Sequence, residues 1–308
     1  MSAAAVERPS SLSSSPVFLA GPTGVGKSEV AVELAKLIGG EVVCGDAFQL
    51  YRGMGWITSQ PSSEMMARVR HHLYGFFDPR EEMSAAVYGG FVRQVIEEIR
   101  GRGFVAIVVG GSGLYMMAAG GGLDDLPSPD RGVREYVRSL SQEEAVRRLR
   151  ELEPNLSLDW RNPRRVARAL EIGLQTGRRP SEVRGGLRVW GTRGFVMVRG
   201  LDDLRARIRR NVEMMLRGGG PSEAAALGVL SETAGKAIGL REAAAVARGE
   251  MALEQAIELV YRATRNYAKR QMTWFRNRTS LPTLEVAPGE PAVVVARRAA
   301  GLLGFKGY

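Results

Sequence analysis

The sequence is poor in the residues that build covalent cross-links and metal clusters. Its 308 residues include one cysteine, Cys44, and two histidines. One cysteine excludes an internal disulfide framework and a cysteine-rich zinc finger. The adjacent histidines, His71 and His72, point in different directions and have no third ligand nearby, so we interpret them as support for the floor of a site. We expect Cys44 to pack as a small apolar residue in a reducing cytoplasm.

Long apolar runs are also missing. No stretch approaches the roughly 18 apolar residues of a membrane-spanning helix, and residues 1–15 lack the apolar centre of a signal peptide. We therefore expect a cytoplasmic protein with a disordered tail over residues 1–15. Hydrophobic residues make up 44% of the chain and charged residues 25%, which is typical of a globular protein with a real core.

Lysine is scarce among the basic residues. Five lysines stand beside 38 arginines, and the formal net charge is +10. Guanidinium groups suit the recognition of phosphates and bases. A G+C-rich genome is an alternative explanation for the ratio of arginine to lysine, but it does not explain the excess of positive charge. That excess favours a polyanionic partner.

The pattern of apolar runs predicts an α/β fold. Strands are predicted at 16–20, 41–46, 104–111 and 194–200, and helical patterns separate them. Such alternation is typical of a parallel sheet with helices on both faces. One of these helices should begin near Ser84 and bury Phe91, Val95 and Ile99 on one face.

A change in composition from about residue 127 indicates an insertion. Residues 127–187 read as arginine-rich helices broken by prolines. We therefore expect a helical insertion domain between two parts of a core, residues 16–126 and 188–308. A single helix is predicted over residues 252–276.

The stretch GPTGVGKS has the full Walker A pattern between a predicted strand and a predicted helix. Its glycines let backbone N–H groups converge on an anion at a helix N-terminus, the lysine adds a positive charge, and the serine hydroxyl can bind Mg²⁺. The sequence thus predicts a P-loop NTPase-like core that binds phosphates. The predicted phosphate-binding residues are Gly21, Pro22, Thr23, Gly24, Val25, Gly26, Lys27 and Ser28.

The ends of the predicted strands argue against ATP hydrolysis. The third strand ends in Gly110-Gly111-Ser112 without the acidic residue that would help to hold a metal. The second strand ends instead in Asp46. Because the carboxyl ends of parallel strands share one crevice, Asp46 and Ser112 should face the glycine loop. From this pattern alone Asp46 is a catalytic residue, a helix cap or a metal ligand.

Seven ordered motifs resemble those of the tRNA dimethylallyltransferases, also called isopentenyl-tRNA transferases. The motifs are GPTGVGKS, GDAFQLYRGM, HHLYGFFDP, VVGGSGLY, NPRRVARALEI, GKAIGLRE and AKRQMTWFR, between about residues 17 and 278. The resemblance implies transfer of a dimethylallyl group from dimethylallyl diphosphate to N6 of the adenine on the 3′ side of the anticodon, with Mg²⁺ assisting. We expect the protein to be a monomer.

The resemblance assigns roles to individual residues. It implies that Asp46 is the general base, that Ser112 lies at the reacting centre and that Arg207 contacts the diphosphate. The Walker A pattern itself makes Ser28 the candidate metal ligand. The residues that match tRNA-contacting segments are Asp46, Ala47, Phe48, Gln49, Ser112, Arg134, Arg164, Arg165, Arg168, Lys236, Gly239, Arg241, Lys269, Arg270, Gln271, Thr273, Trp274 and Arg276. Phe48, Tyr51 or Trp274 is a candidate to stack on the acceptor adenine, and each is alternatively a core aromatic.

The chain departs from the family pattern at several positions. Ala47 replaces a common serine, Ser112 replaces a common threonine, and Leu240 replaces a common tyrosine. The segment MGWITSQP at 54–61 replaces the more usual Met-Asp-Ile-Gly-Thr-Ala-Lys-Pro. These differences concern substrate contacts rather than the class of reaction.

Helical spacing predicts a basic stripe on the helix at 252–276. Arg262, Arg265, Lys269 and Arg276 fall on one face, which is either a solvated surface or a phosphate-binding one. The arginine-rich insertion and this stripe favour tRNA over free AMP, the acceptor of the rival adenylate isopentenyltransferases. A small-molecule kinase with the same glycine loop is a more distant alternative.

Overall fold

The chain forms two compact units. The computed structural model describes residues 15–122, 130–183 and 193–305. One unit comprises residues 1–120 and 189–308, and the other comprises residues 121–188. The predicted tail, apart from Ser15, and the predicted insertion boundaries at 127 and 187 lie outside the described residues.

The larger unit contains a parallel sheet that has six strands among the described residues. The strands are β1 (Val17–Ala20), β2 (Gly40–Cys44), β3 (His71–His72), β4 (Val105–Gly110), β5 (Gly194–Val198) and β6 (Thr283–Glu285). Their spatial order is β3-β2-β4-β1-β5-β6, and each neighbouring pair is parallel. Central strands are buried on both faces, so β1 and β4 read as the continuous apolar runs VFLA and VAIVVG.

Helices cover both faces of this sheet. The helices of the described chain are α1 (Lys27–Ile38), α2 (Gly55–Thr58), α3 (Ser63–Arg68), α4 (Ala85–Gly101), α5 (Gly113–Ala119), α6 (Arg131–Ser139), α7 (Gln142–Leu152), α8 (Pro163–Thr176), α9 (Pro180–Val183), α10 (Leu201–Arg217), α11 (Gly220–Ala226), α12 (Leu240–Ala247), α13 (Leu253–Arg278) and α14 (Ala292–Leu302). Both α1 and α4 pack on β2 and β4, but α1 pairs with α14 whereas α4 pairs with α5. The two pairs therefore lie on opposite faces, and the predicted α/β fold is confirmed.

Helix α4 begins where the sequence predicts and buries a face that only partly matches the predicted one. The Ser84 hydroxyl accepts a hydrogen bond from the N–H of Val87 and caps the helix. Phe91, predicted to be buried, is 40% exposed and packs edge-on against Phe76. Of the predicted face, Ile99 is buried and Val95 is half-buried, so the prediction fails only at Phe91. Its buried side chains include Tyr88, Val92, Ile96 and Ile99.

Close backbone approach at two glycines brings the ends of β2 and β4 together. A β-carbon at Gly110 would lie 2.0 Å from the carbonyl oxygen of Gly45. A β-carbon at Gly45 would lie 2.4 Å from the sulfur of Met116. Because no side chain fits at either position, the loops that follow these strands can touch each other.

The smaller unit is helical in its described part. Polar side chains cap three of its helices: Asp130 caps α6, Ser141 caps α7 and Asn162 caps α8. The apolar core of this unit consists of Val137, Ala145, Leu149, Leu156, Val166, Ala169 and Leu170. Throughout the described chain, no helix is both long and apolar enough to cross a bilayer.

Candidate active site

The glycine loop connects β1 to α1, and the side chain of Lys27 bonds back to its backbone. Gly24 and Gly26 have φ of +81° and +98°, in the left-handed region that favours glycine. The ammonium group of Lys27 donates hydrogen bonds to the carbonyl oxygens of Gly21 and Pro22, at 3.0 and 2.9 Å. These contacts fix Lys27 at the start of α1, where the helix dipole is positive.

Burial lowers the pKa of Lys27 to about 8, although the negative charge of Asp46 acts in the opposite direction and raises it. The environment of the loop therefore disfavours the charge on this lysine. An anion bound in the loop would add negative charge beside it and favour the ammonium form again.

Two arginines hold the outer carbonyl groups of the loop. Arg207, on α10, donates from Nε to the carbonyl oxygen of Gly24 at 2.9 Å. Arg199, just after β5, donates from Nε to the carbonyl oxygen of Val25 at 2.8 Å and pairs with Asp203 at 2.8 Å. The sequence predicted Arg207 and missed Arg199, whose only signal was its place at the end of a predicted strand.

The hydroxyl group of Ser112 contacts the backbone of Ala47, the residue that follows Asp46. The N–H of Ala47 donates to the hydroxyl oxygen of Ser112 at 3.0 Å. Oδ1 of Asp46 accepts from the N–H of Phe48 at 3.0 Å. Among the described residues, Oδ2 of Asp46 accepts no hydrogen bond. One carboxylate oxygen is therefore fixed while the other is left for a further contact.

Tyr267, which sequence analysis did not single out, belongs to the same network. Its hydroxyl lies 3.4 Å from the hydroxyl oxygen of Ser112. Burial raises its pKa to about 12, the charge of Asp46 adds to this shift, and hydrogen bonds with Ser112 and Gln271 act against it. Tyr267 is therefore a neutral hydroxyl near pH 7. It lies one helical turn before Gln271, and this spacing was the available signal.

Gln271 joins the glycine loop to the end of β4. Its side-chain oxygen accepts from the N–H of Thr23, and its side-chain nitrogen donates to the carbonyl oxygen of Gly111, both at 2.9 Å. A β-carbon at Gly111 would lie 2.3 Å from that nitrogen, and one at Gly113 would lie 2.2 Å from the ring of Trp274. The glycines of GGSG thus allow α13 to approach the site closely.

Several of these groups line one cavity of about 760 Å³ in the larger unit. Its polar wall includes Lys27, Ser28, Asp46, Arg207 and Gln271. Cavities of several hundred cubic ångströms are typical of ligand sites. The arrangement places a phosphate-binding loop, a carboxylate and neutral hydroxyl groups within reach of one bound molecule.

Comparison with known proteins identifies the family. The family model of the IPP transferases matches residues 49–278. The chain belongs to this family. A tRNA dimethylallyltransferase of Akkermansia muciniphila is 37% identical over 294 residues, covering 94% of this chain and 99% of the relative. The tRNA dimethylallyltransferase 1 of Citrifermentans bemidjiense is 39% identical over 289 residues, covering 91% and 94%.

Solved structures agree with this assignment. The tRNA isopentenylpyrophosphate transferase of Bacillus halodurans aligns with a TM-score of 0.68 at 32% identity and covers 95% of this chain and 96% of that one. A tRNA isopentenylpyrophosphate transferase of Staphylococcus epidermidis gives 0.66 at 25% identity, with 95% and 100% coverage. The family resemblance found in the motifs is confirmed, and the P-loop-type fold with it.

The basic stripe of this IPP transferase family member lies along one continuous helix. Arg262, Arg265, Lys269 and Arg276 are all exposed on α13. In the described part of the chain none of the four forms an ion pair. Of the other predicted tRNA contacts on α13, Arg270 and Thr273 are exposed and Trp274 is half-buried, whereas Gln271 is 5% exposed.

Other predicted tRNA contacts lie on both units. In the larger unit Lys236 pairs with Glu232, Arg241 is exposed at the start of α12, and Gly239 has φ of +90°. In the smaller unit Arg134 and Arg168 both pair with the buried Glu171. The exposed residues Arg164 and Arg165 occupy the first turn of α8.

The three aromatic candidates for stacking on adenine differ in their exposure. Phe48 is half-buried and lines the cavity together with Gln49. Tyr51 is fully buried, and its hydroxyl oxygen accepts from the N–H of Met83. Of the two alternatives for Tyr51, the structure supports the core aromatic, because no face of its ring is open. Trp274 packs on Gly113 and stays a candidate.

The adjacent histidines both contact neighbouring protein groups, one a carboxylate and the other a backbone carbonyl. His72 lies 2.5 Å from a carboxylate oxygen of the buried Glu41, which also accepts from Arg102 at 2.7 Å. His71 contacts the carbonyl oxygen of Val69 at 2.9 Å. Burial by itself raises the pKa of Glu41, but the hydrogen bonds from Arg102 and His72 outweigh it and hold this pKa below its ordinary value.

The cavity suits Mg²⁺ only together with a phosphate ligand. Among the described residues, no group of three or more His, Cys, Asp and Glu side chains could hold a metal ion. The Ser28 hydroxyl and the Asp46 carboxylate nevertheless line the same cavity. Mg²⁺ commonly keeps several waters and binds through one or two protein oxygens plus substrate phosphates. This donor set therefore fits the ion.

Proposed function

We propose that the protein transfers a dimethylallyl group from dimethylallyl diphosphate to N6 of the adenine on the 3′ side of the anticodon in tRNA. One observation carries the proposal: the glycine loop and Asp46 line a single cavity. The names of the relatives from Akkermansia muciniphila and Citrifermentans bemidjiense agree with this reaction. Among the described residues that line the cavity, only Asp46 is an acidic residue just after a strand, which disfavours ATP hydrolysis.

The donor would bind with its diphosphate on the glycine loop. Backbone N–H groups at the start of α1 and the Lys27 ammonium group favour the two negative phosphates. Arg207 already contacts the loop at Gly24, and its guanidinium group borders the same cavity. As the bond between C1 of the dimethylallyl group and the diphosphate oxygen breaks, these positive groups stabilise the departing pyrophosphate.

Asp46 would accept the proton that adenine loses. The lone pair of N6 is delocalised into the ring, so the amine becomes a good nucleophile only as its proton is removed. While N6 forms its bond to C1, Oδ2 of Asp46 takes the proton and Oδ1 stays bound to the N–H of Phe48. The fixed orientation of the carboxylate supports this role. Ser112 and Tyr267 position the Asp46-Ala47 backbone.

A divalent cation would act on the diphosphate. We propose that Ser28 binds Mg²⁺, whose chemistry in the site is to neutralise charge on the leaving group. The exposed arginines and lysine of α13 would contact tRNA phosphates, and so would the arginines of the smaller unit. We further propose that the protein acts as a monomer in the cytoplasm, where this substrate occurs.

The direct test is mass spectrometry of the reaction products. Purified protein is incubated with Mg²⁺ and dimethylallyl diphosphate, with unmodified tRNA in one tube and AMP in another. We expect a dimethylallyl mass gain on the tRNA alone. A gain on AMP alone would move the protein to the adenylate isopentenyltransferases, and no gain on either acceptor would contradict the proposal.

A further inference from the structure

Trp56 presents a large aromatic surface to solvent at the wall of the cavity. It is 51% exposed and lines the same cavity as Lys27 and Asp46. The usual family motif has isoleucine at this position, so the indole is a feature of this chain. Aromatic side chains with one open face at a polar cavity are typical of binding surfaces.

One face of the indole rests on a pair of glycines. A β-carbon at Gly218 would lie 2.7 Å from Cζ3 of Trp56, and a β-carbon at Gly219 would lie 2.2 Å from its Nε1. Both rings of the indole therefore lie against this backbone, which only glycine permits. With this side covered, we take the 51% exposure of Trp56 to belong to the side that faces away from the glycines.

The short helix that carries Trp56 is fixed at both ends. The carboxylate of Glu223 accepts from the N–H of Trp56 at 2.9 Å and from the N–H of Ile57 at 2.8 Å. After the helix, the side-chain nitrogen of Gln60 donates to the carbonyl oxygen of Gln49 at 2.9 Å. The backbone that carries the indole is thus held in place, and the ring itself packs on Gly218 and Gly219. Little conformational entropy is therefore lost when a ligand binds, which is a feature of preorganised binding surfaces.

We infer that Trp56 binds an unpaired base of the RNA substrate by stacking, next to the adenine that is modified. A base covers the open face with its own flat surface and keeps its polar edges in water, so a half-exposed platform suits it. A dimethylallyl group gains most from complete enclosure and suits such a platform poorly. The identity of the RNA rests on the proposed function, whereas the stacking itself does not require catalysis.

The test measures RNA binding without the donor. The probe is a fluorescein-labelled synthetic RNA stem-loop with the acceptor adenine in its loop, and the readout is fluorescence anisotropy. We expect Trp56→Ala to raise the Kd roughly 5- to 150-fold, the range for loss of one stacked base, and Trp56→Phe to retain most of the affinity. The matched control is Leu302→Ala, which removes a similarly exposed apolar side chain (47%) on α14.

A second comparison identifies the base and guards against misfolding. Stem-loops with a single abasic site are scanned through the loop. One abasic site beside the acceptor should weaken binding to the original protein and have no further effect on Trp56→Ala. An unchanged Kd in Trp56→Ala, or full additivity at every abasic site, would overturn the inference.

Donor binding separates this inference from the proposed function. The shift in melting temperature on adding dimethylallyl diphosphate should be the same in Trp56→Ala as in the original protein. Loss of that shift with unchanged RNA affinity would assign Trp56 to the isoprenoid instead and refute the inference. If the RNA measurements behave as expected while no dimethylallyl group is transferred to tRNA, the proposed function fails and the stacking platform stands.

Discussion

Thr23 and Gln271 are 248 positions apart in the sequence and are joined by a hydrogen bond of 2.9 Å. The same glutamine donates to the carbonyl oxygen of Gly111 at 2.9 Å. One buried amide therefore fixes the phosphate loop against the end of the neighbouring strand. Gln271 matches a tRNA-contacting segment of the family, and contact with tRNA stays a prediction. The bridge itself has direct consequences for donor binding.

Gln271→Leu keeps the size of the side chain and removes both hydrogen bonds. The N–H of Thr23 and the carbonyl group of Gly111 lose their partner, and each unsatisfied buried group costs about 1–3 kcal/mol. We expect a lower free energy of unfolding in urea and weaker binding of dimethylallyl diphosphate by calorimetry. Asn277→Ala, at an exposed position on the same helix, is the control. Unchanged donor affinity in Gln271→Leu would show that the bridge does not shape the loop.

Asp46→Asn tests the proposed base while preserving its local geometry. The asparagine oxygen can still accept from the N–H of Phe48, so the loop keeps its hydrogen bond. We expect kcat to fall roughly 10²- to 10⁴-fold, the usual contribution of a general base, with little change in the Kd for tRNA. Asp202→Asn removes a carboxylate that is 97% exposed and serves as control. A mutant kcat equal to that of the original protein would remove Asp46 from this role.

Lys27→Ala should separate donor binding from folding. Loss of a charge-assisted contact to the diphosphate predicts a Kd for the donor roughly 10- to 150-fold higher. Because the folded environment lowers the pKa of Lys27 to about 8, the charge itself disfavours folding at neutral pH. Relief of this unfavourable charge opposes the loss of the hydrogen bonds to Gly21 and Pro22, so the melting temperature without donor should change little. Lys36→Ala, in the last turn of the same helix, should leave donor binding unchanged, and equal donor affinity in both variants would contradict the prediction.

Glu41 should stabilise the fold in a pH-dependent way. Its pKa is lower in the folded chain than the ordinary value of 4.5, so folding favours the carboxylate form. This contribution is complete above the ordinary pKa and is lost as the pH falls through the folded one. We expect Glu41→Gln to lower the free energy of unfolding by about 1.5–3 kcal/mol at pH 7, the range for hydrogen bonds to a charged group.

The measurement is urea unfolding of Glu41→Gln and the original protein at several pH values. The difference between them should shrink below pH 4.5. Glu97→Gln removes an exposed carboxylate paired with Arg100 and should show a small, nearly constant effect. A difference that grows in acid would contradict the assignment.

The sequence was sufficient for the parts of the site that follow from local pattern. The glycine loop is recognised from its spacing. The meeting of Asp46 with Ser112 follows from the rule that carboxyl ends of parallel strands share one edge. The fold class follows from alternating apolar runs and helical patterns, although β3 and β6 are too short to give a periodic signal.

Contacts between residues far apart in the chain could not be predicted from the sequence. Arg199 reaches Val25 across 174 positions, and Tyr267 reaches Ser112 across 155. No spacing rule connects residues so far apart, and both side chains look like ordinary members of amphipathic helices or loops. The sequence also left open whether Tyr51 is a stacking residue or a core aromatic, and only the structure shows that it is buried and bonded to Met83.

The order of strands in the sheet also constrains how the chain is made on the ribosome. β1 is synthesised first among the strands, yet its two neighbours are β4 and β5, and β5 begins only at Gly194. At about 5–20 residues per second, the strand that completes its pairing follows roughly 10–35 seconds later. Until then the glycine loop follows a strand that lacks its hydrogen-bonded neighbour β5 on one side. The side chains that hold the loop backbone, Arg199, Arg207 and Gln271, are also made only after this point in the chain.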